Sequence, residues 1–156
     1  MIRPAVARSF TPHWPMTSQA WRRLEADVEV MAGDVARMAN GPEDESTELA
    51  THLVLLPVEL ANRRLDRLRD VLDRAAIVDA PDRAVIGRVV VIREADGSMF
   101  DCQLVPPGEG DPVQGLVSVD SPFGSSILGR SPGQVVEIAA PAGRRSVEIE
   151  AIDEVE

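Results

Sequence analysis

Two stretches of the chain place apolar residues at alternating steps of three and four. The first is Trp21, Leu24, Val28, Met31, Val35, Met38; the second is Val54, Val58, Ala61, Leu65, Leu68, Leu72. Such steps keep side chains on one stripe of an α-helix and make the seam of a coiled coil. Matched from opposite ends, Trp21 faces Leu72, Val28 faces Leu65 and Met38 faces Val54, the register of an antiparallel hairpin over 16–76. Thr17 or Ser18 can cap the first helix after Pro15, and Asn40-Gly41-Pro42 stops it near Ala39. Asp44 or Ser46 can cap the second, which should end near Arg74. A seam of 18 or 19 residues makes a rod roughly 27 Å long at the helical rise.

Pro57 interrupts the second pattern. A proline there removes one helical hydrogen bond. Either the helix bends at Pro57, or it starts there with Leu53-Val54-Leu55-Leu56 extended. The seam runs through Pro57 in phase, which favours the bend.

Beyond a linker at 77–82 the period becomes two. Residues 85–92 are β-rich and end at Ala95-Asp96-Gly97, a hairpin signal. Met99 to Val105 reads as the next strand, and the proline- and glycine-rich run 106–112 as a loop. Further strands are expected at 116–119, 134–139 and 146–152. Ser121-Pro122-Phe123 opens a short helix through Leu128. Residues 83–156 thus form a small α+β domain of about five strands and one short helix. Residues 1–15, with three prolines, read as a flexible or extended lead-in.

Charge adds a direction to this layout. The net charge is −10, so the bulk field should repel bare nucleic acid. Residues 1–80 hold 10 arginines and 13 acids, against 6 and 13 for residues 81–156. Cationic surface therefore concentrates on the hairpin half, where Arg63, Arg64 and Arg67 could face RNA or a protein partner. They alternate with Glu59, Asp66 and Asp70, which equally suits ordinary surface pairs. The turn carries Glu43, Asp44, Glu45 and Glu48, a stiff rod's end loaded with carboxylates.

Several chemistries are disfavoured. Cys102 is the single cysteine, so no internal disulfide forms, which suits a reducing cytoplasm; in a strand it reads as a buried apolar residue. No apolar run approaches the ~20 residues of a membrane span, and the N-terminus lacks a signal-peptide pattern. There is no His/Cys cluster for an autonomous metal site. His52, near the tip, is ordinarily structural or exposed. Ser125 and Ser126 lack a nucleophile-elbow motif, and no phosphate-binding glycine loop is present. No autonomous active site or cofactor is expected.

The segment Val119-Asp120-Ser121-Pro122-Phe123-Gly124-Ser125-Ser126-Ile127-Leu128-Gly129-Arg130, then Gly133-Gln134-Val135-Val136 and Pro141-Ala142-Gly143, resembles the C-terminal domain of the bacterial Gre transcription elongation factors. Pro15-Met16-Thr17 before the first helix and Ala76-Ile77-Val78-Asp79 after the second are also similar. The resemblance covers about residues 15–153. It implies an FKBP-like fold for the C-terminal domain and RNA polymerase as partner. The globular domain would dock on the rim of the secondary channel, with Asp120, Ser121, Pro122 and Phe123 in the docking segment. The coiled coil would reach toward the active site and the RNA 3′ end. Tip carboxylates in cleavage-stimulating members help hold the polymerase's second Mg²⁺ and position water, since added oxygens raise the affinity of a weakly held cation.

The tip departs from that pattern. Ungapped alignment places Asp44 at the family's motif aspartate but Thr47 at its glutamate. Glu48 is one residue, about 100° of helix, further on. The first helix is also about one heptad short, roughly 10 Å of reach. These departures imply a factor that occupies the channel and modulates, by inhibition, elongation; it is expected to act as a monomer. The alternatives are a cleavage-stimulating factor and a channel binder of the nucleoside-diphosphate-kinase-regulator type. An independent prolyl isomerase is disfavoured, because only Phe100 and Phe123 could line its aromatic pocket.

Overall fold

The computed structural model describes residues 13–40 and 48–154, with backbone alone for 48–55 and 140. Strand β1 (Trp14–Met16) leads into helix α1 (Ser18–Ala39), and helix α2 (Glu48–Asp73) returns to strand β2 (Ala75–Ile77). β1 and β2 pair in parallel, Trp14 beside Ala75 and Met16 beside Ile77. The entrance of α1 and the exit of α2 are thereby side by side, so the helices run antiparallel.

Thr17 caps α1, its Oγ1 accepting from the Ala20 amide at 3.1 Å. At the same end Asp79 Oδ1 accepts from the Ser18 amide at 2.8 Å and from its hydroxyl at 3.0 Å. The apolar stripe does the packing: Leu24, Val28 and Val35 of α1 and Leu65 and Leu68 of α2 are buried. Trp21, Met31, Val58 and Ala61 are half-buried. The pattern frays at both ends. Met38 is 48% exposed, and Val71 (1%) takes the inward place expected of Leu72. At the base the helices meet the sheet as well as each other, which widens the buried face beyond a two-helix seam. α2 is continuous through Pro57, so Leu53–Leu56 are helical and not extended.

The remaining chain forms strands β3 (Arg88–Glu94), β4 (Met99–Val105), β5 (Leu116–Ser118), β6 (Val135–Ala140) and β7 (Gly143–Glu154), with helix α3 (Pro122–Ile127) between β5 and β6. The sheet order is β5-β4-β3-β7-β6. Neighbours are antiparallel except β4 and β5. This mixed α+β architecture, two long helices followed by a five-stranded sheet, agrees with the pattern of periods. The two short strands β1 and β2 were not read as such: Trp14 and Pro15, at the end of the lead-in read as flexible or extended, are extended and paired in a strand, and the linker begins inside another. Three-residue strands lack a readable alternation, and the parallel partner lies some sixty residues away.

Alternation orders the core. Val90 and Ile92 of β3, Cys102 and Leu104 of β4, Val136 and Ile138 of β6, and Val147 and Ile149 of β7 are buried on one face. They form one cluster with Met16, Leu24, Val28, Leu65, Leu68 and Val71, so the hairpin base and the sheet share a core. Gly87 permits this junction. Its φ is +95°, and a Cβ there would lie 2.5 Å from Ala20 Cβ and 2.7 Å from Thr17 Oγ1.

Candidate functional site

The segment 118–123 is held by a compact set of hydrogen bonds. Ser121 caps α3, its Oγ accepting from the Gly124 amide at 3.0 Å and donating to the Ser118 carbonyl at 2.6 Å. Pro122 occupies the first helical turn, where no amide donor is needed. Gly124 lies against the Ser118 carbonyl so closely that a Cβ would sit 2.0 Å from its oxygen. Ser118 Oγ bonds to the Asp120 carboxylate and accepts from the Gly108 amide at 3.1 Å. The result presents Asp120 and Pro122 outward, with Ser121 and Phe123 half-buried.

Beside this segment opens a cavity of about 640 Å³, lined by Phe100, Leu116, Val117, Ser121, Phe123 and Arg145. The Phe100 and Phe123 rings lie 5.9 Å apart at 37°. The Arg145 guanidinium carbon is 5.7 Å from the Phe123 centroid, within cation–π range, and Arg145 also pairs with Glu94 at 3.1 Å. The four residues expected in docking make up this segment or border it, and the cavity beside it is also lined by Phe100 and Arg145. Arg145 had no signal of its own and reads as a turn-flanking charge, while Phe100 stood out only as one of two aromatics in the domain. The two phenylalanines left as the only aromatics for a domain pocket do converge.

The tip is a different case. Glu43, Asp44 and Glu45 lie outside the described residues, as does the side chain of Glu48, whose backbone opens α2. Among the described residues no three His, Cys, Asp or Glu side chains converge on a metal site.

Arg63, Arg64 and Arg67 do not present one open cationic face. Arg64 grips Glu109 with two parallel bonds, Nε to Oε1 at 2.9 Å and a terminal nitrogen to Oε2 at 2.7 Å. That hydrogen bond raises the Arg64 pKa above its ordinary value. Arg67 approaches the same carboxylate at 3.5 Å, while Arg63 is exposed and makes no ion pair among the described residues. Glu109 sits in the loop between β4 and β5, at the edge of a groove of about 650 Å³ between helices and sheet, lined by Leu24, Asp27, Met31, Leu68, Leu104 and Glu109 among others. Nothing in the sequence singles Glu109 out; it is one acid in a glycine- and proline-rich loop.

Two other predicted residues fall into place. Trp21 packs against the core. Cys102 is buried, and burial pushes its thiol up to about 11, so at neutral pH it is a protonated apolar group. No described helix is long and apolar enough to cross a membrane.

Comparison with known proteins gives a consistent result. The family description "Transcription elongation factor, GreA/GreB, C-term" matches residues 79–154. Transcription elongation factor GreA of Sulfurovum sp. is 29% identical over 154 residues, covering 88% of this chain and 93% of that protein. GreA of Novosphingobium aromaticivorans is 24% identical over 149 residues, covering 89% and 94%. Among solved structures, GreA factor homolog 1 of Thermus thermophilus is 22% identical with a TM-score of 0.43, covering 90% and 98%. The GreA/GreB factor of Nitrosomonas europaea is 23% identical with a TM-score of 0.45, with the same coverage. Residues 79–154, which hold the β4–β5–α3 segment and the strands around it, thus match the C-terminal domain of the GreA/GreB transcription elongation factors, and the chain as a whole is similar to GreA.

Proposed function

We propose that the chain is a channel-occupying regulator of RNA polymerase. Its FKBP-like domain docks on the rim of the secondary channel through Asp120, Ser121, Pro122 and Phe123. The coiled-coil hairpin then carries Glu43, Asp44, Glu45 and Glu48 toward the catalytic Mg²⁺ and the RNA 3′ end, as a monomer in the cytoplasm. The observation that carries this reading is the Ser121-capped segment, which turns Asp120 and Pro122 outward beside the Phe100–Phe123 cavity. An exposed apolar pocket with a charged rim is the form of a docking anchor.

The effect is inhibitory. The tip has a threonine, Thr47, where a second inward carboxylate would be needed to complete a cation's shell with Asp44. A rod that fills the channel without completing that shell obstructs substrate entry. The chain contributes no active site of its own and no resident cofactor; its contact with metal is through the polymerase-bound ion.

The test uses purified bacterial polymerase. The protein should bind it, slow RNA synthesis competitively with nucleotide, and leave the RNA of a backtracked complex at full length. Asp120→Ala should weaken binding about tenfold, the loss of one charge-assisted anchor. Absence of binding ends this reading. Shortened RNA in the backtracked complex would replace inhibition by cleavage stimulation, with Asp44→Ala then abolishing it.

A further inference from the structure

Among the described residues, the hairpin meets the sheet domain through the shared core at its base and through one ion-pair bridge. At the base, β1 pairs with β2, and Thr17 and Ala20 press on Gly87. Above it the 650 Å³ groove separates helices from sheet. The bridge is Glu109, which reaches over the groove's edge to Arg64 and Arg67. We propose that Glu109 is a positioning residue: it fixes the direction in which the hairpin points relative to the docking segment.

Three observations separate this from an ordinary surface ion pair, which is worth little. The Arg64 contact is bidentate, a geometry that constrains angle as well as distance. The Glu109 side chain is only 19% exposed. Its loop is built for the approach: Gly108 has a φ of +76°, and a Cβ there would come within 2.7 Å of the Arg67 guanidinium carbon. The loop is also tied to the docking segment. Gly108 donates to Ser118 Oγ, which bonds to Asp120. A continuous path therefore runs from the hairpin arginines through Glu109, Gly108 and Ser118 to Asp120.

Lever geometry gives the path its consequence. Arg64 lies ten residues from Arg74, about 15 Å above the base, and Glu48 lies roughly 39 Å above it at the helical rise. Any slack at the bridge is multiplied about 2.6-fold at the start of the tip. Replacing a direct bidentate contact by a looser one with about 3 Å of play would scatter the tip by roughly 8 Å. That exceeds the tolerance of any site that must meet a metal or a nucleotide.

The consequence for transcription rests on the reading above, but the positioning itself can be measured on the free protein. Spin labels at Met38→Cys and Val135→Cys, in a Cys102→Ala background, report the hairpin-to-sheet distance by double electron–electron resonance. Glu109→Gln and Arg64→Gln should each broaden the distance distribution by several ångströms. The double exchange Glu109→Arg with Arg64→Glu should narrow it again, and Glu94→Gln, which removes an ion pair remote from the hairpin, should not broaden it. Wild-type widths in both Glu109→Gln and Arg64→Gln overturn the proposal. On polymerase, Glu109→Gln should keep binding within twofold and lose inhibition severalfold, with the exchange restoring it. Retained inhibition with a broadened distribution also overturns the role. Failure of the wild-type protein to bind polymerase removes the docking reading instead, and the distance widths still decide the bridge.

Discussion

The sheet domain and the hairpin bury their apolar residues to different depths. In the domain, Ile92, Leu104, Ile127 and Ile149 are wholly buried, and exposed apolar side chains such as Met99 and Val135 stand at strand ends. In the hairpin, Val30, Met38, Leu56 and Leu60 are between 48% and 64% exposed. Only the lower seam joins the common core, through Leu24, Val28, Leu65, Leu68 and Val71. The domain holds its shape by burial; the upper hairpin has a narrow seam and relies on the base to hold it. Under the proposed function, that division suits a domain that docks on the partner and a rod thin enough to enter it.

The largest effect should come from cutting into the common core. Leu104→Ala removes a wholly buried side chain from the strand that lies beneath the helices. It should cost about 3 kcal/mol, transfer and cavity terms together. Met38→Ala, at the exposed end of the seam, should change stability by less than about 0.5 kcal/mol. Urea titrations can follow both regions at once. The chain has two tryptophans and no tyrosine, so fluorescence reports the hairpin base, while labelling of Cys102 reports the sheet. The shared core predicts that these two signals have one midpoint and that Leu104→Ala moves both. Separate midpoints would break the picture of a joint core.

The contrast also explains what could be read without coordinates. Both helices and the longer strands β3, β4, β6 and β7 carry their period openly, because each buries one stripe or one face; β5, only three residues long, shows itself as a short β-rich run between turn signals. The local fold of 121–127 was legible because a serine before a proline has backbone consequences, a cap and a first-turn proline; the close approach of Gly124 to Ser118 was not. What joins the two regions was not legible. Strands β1 and β2 are too short to show alternation, and Gly87 looks like any glycine at the edge of a strand. Glu109 meets Arg64 across forty-five positions, and a long-range ion pair has no period. The same holds for Arg145, which joins Phe100 and Phe123 only because β4 and β7 flank β3.

A smaller perturbation sharpens the role of the joint. Gly87→Ala places a methyl group where Ala20 and Thr17 already sit, at a φ of +95° that alanine rarely adopts. Strain and overpacking together should cost about 2 kcal/mol. Because the clash faces the first turn of α1, the tryptophan midpoint should fall at least as far as that of Cys102. A Gly97→Ala control has open space around the new methyl group and carries only the backbone penalty, about 1 kcal/mol. Equal losses at the two glycines would show that close packing at the base contributes nothing.

The smallest effect concerns charge at that base. The Asp79 carboxylate is held below its ordinary pKa of 3.8, first by the Ser18 amide, then by the Ser18 hydroxyl, with a lesser contribution from Arg88 and Arg22. It also stands at the positive end of α1. The folded state therefore favours the ionised form more than the unfolded chain does. The stabilisation is fully present above pH 3.8, the ordinary value, and is lost as the pH falls through the depressed folded value. Asp79→Asn keeps an oxygen for the Ser18 amide but removes the titrating charge. Its melting temperature should lie below that of the wild type at pH 7, and the gap should close as the pH drops beneath 3.8. A gap that stays constant into that range would assign the contribution of Asp79 to hydrogen-bond geometry alone and leave the charge at the base without effect.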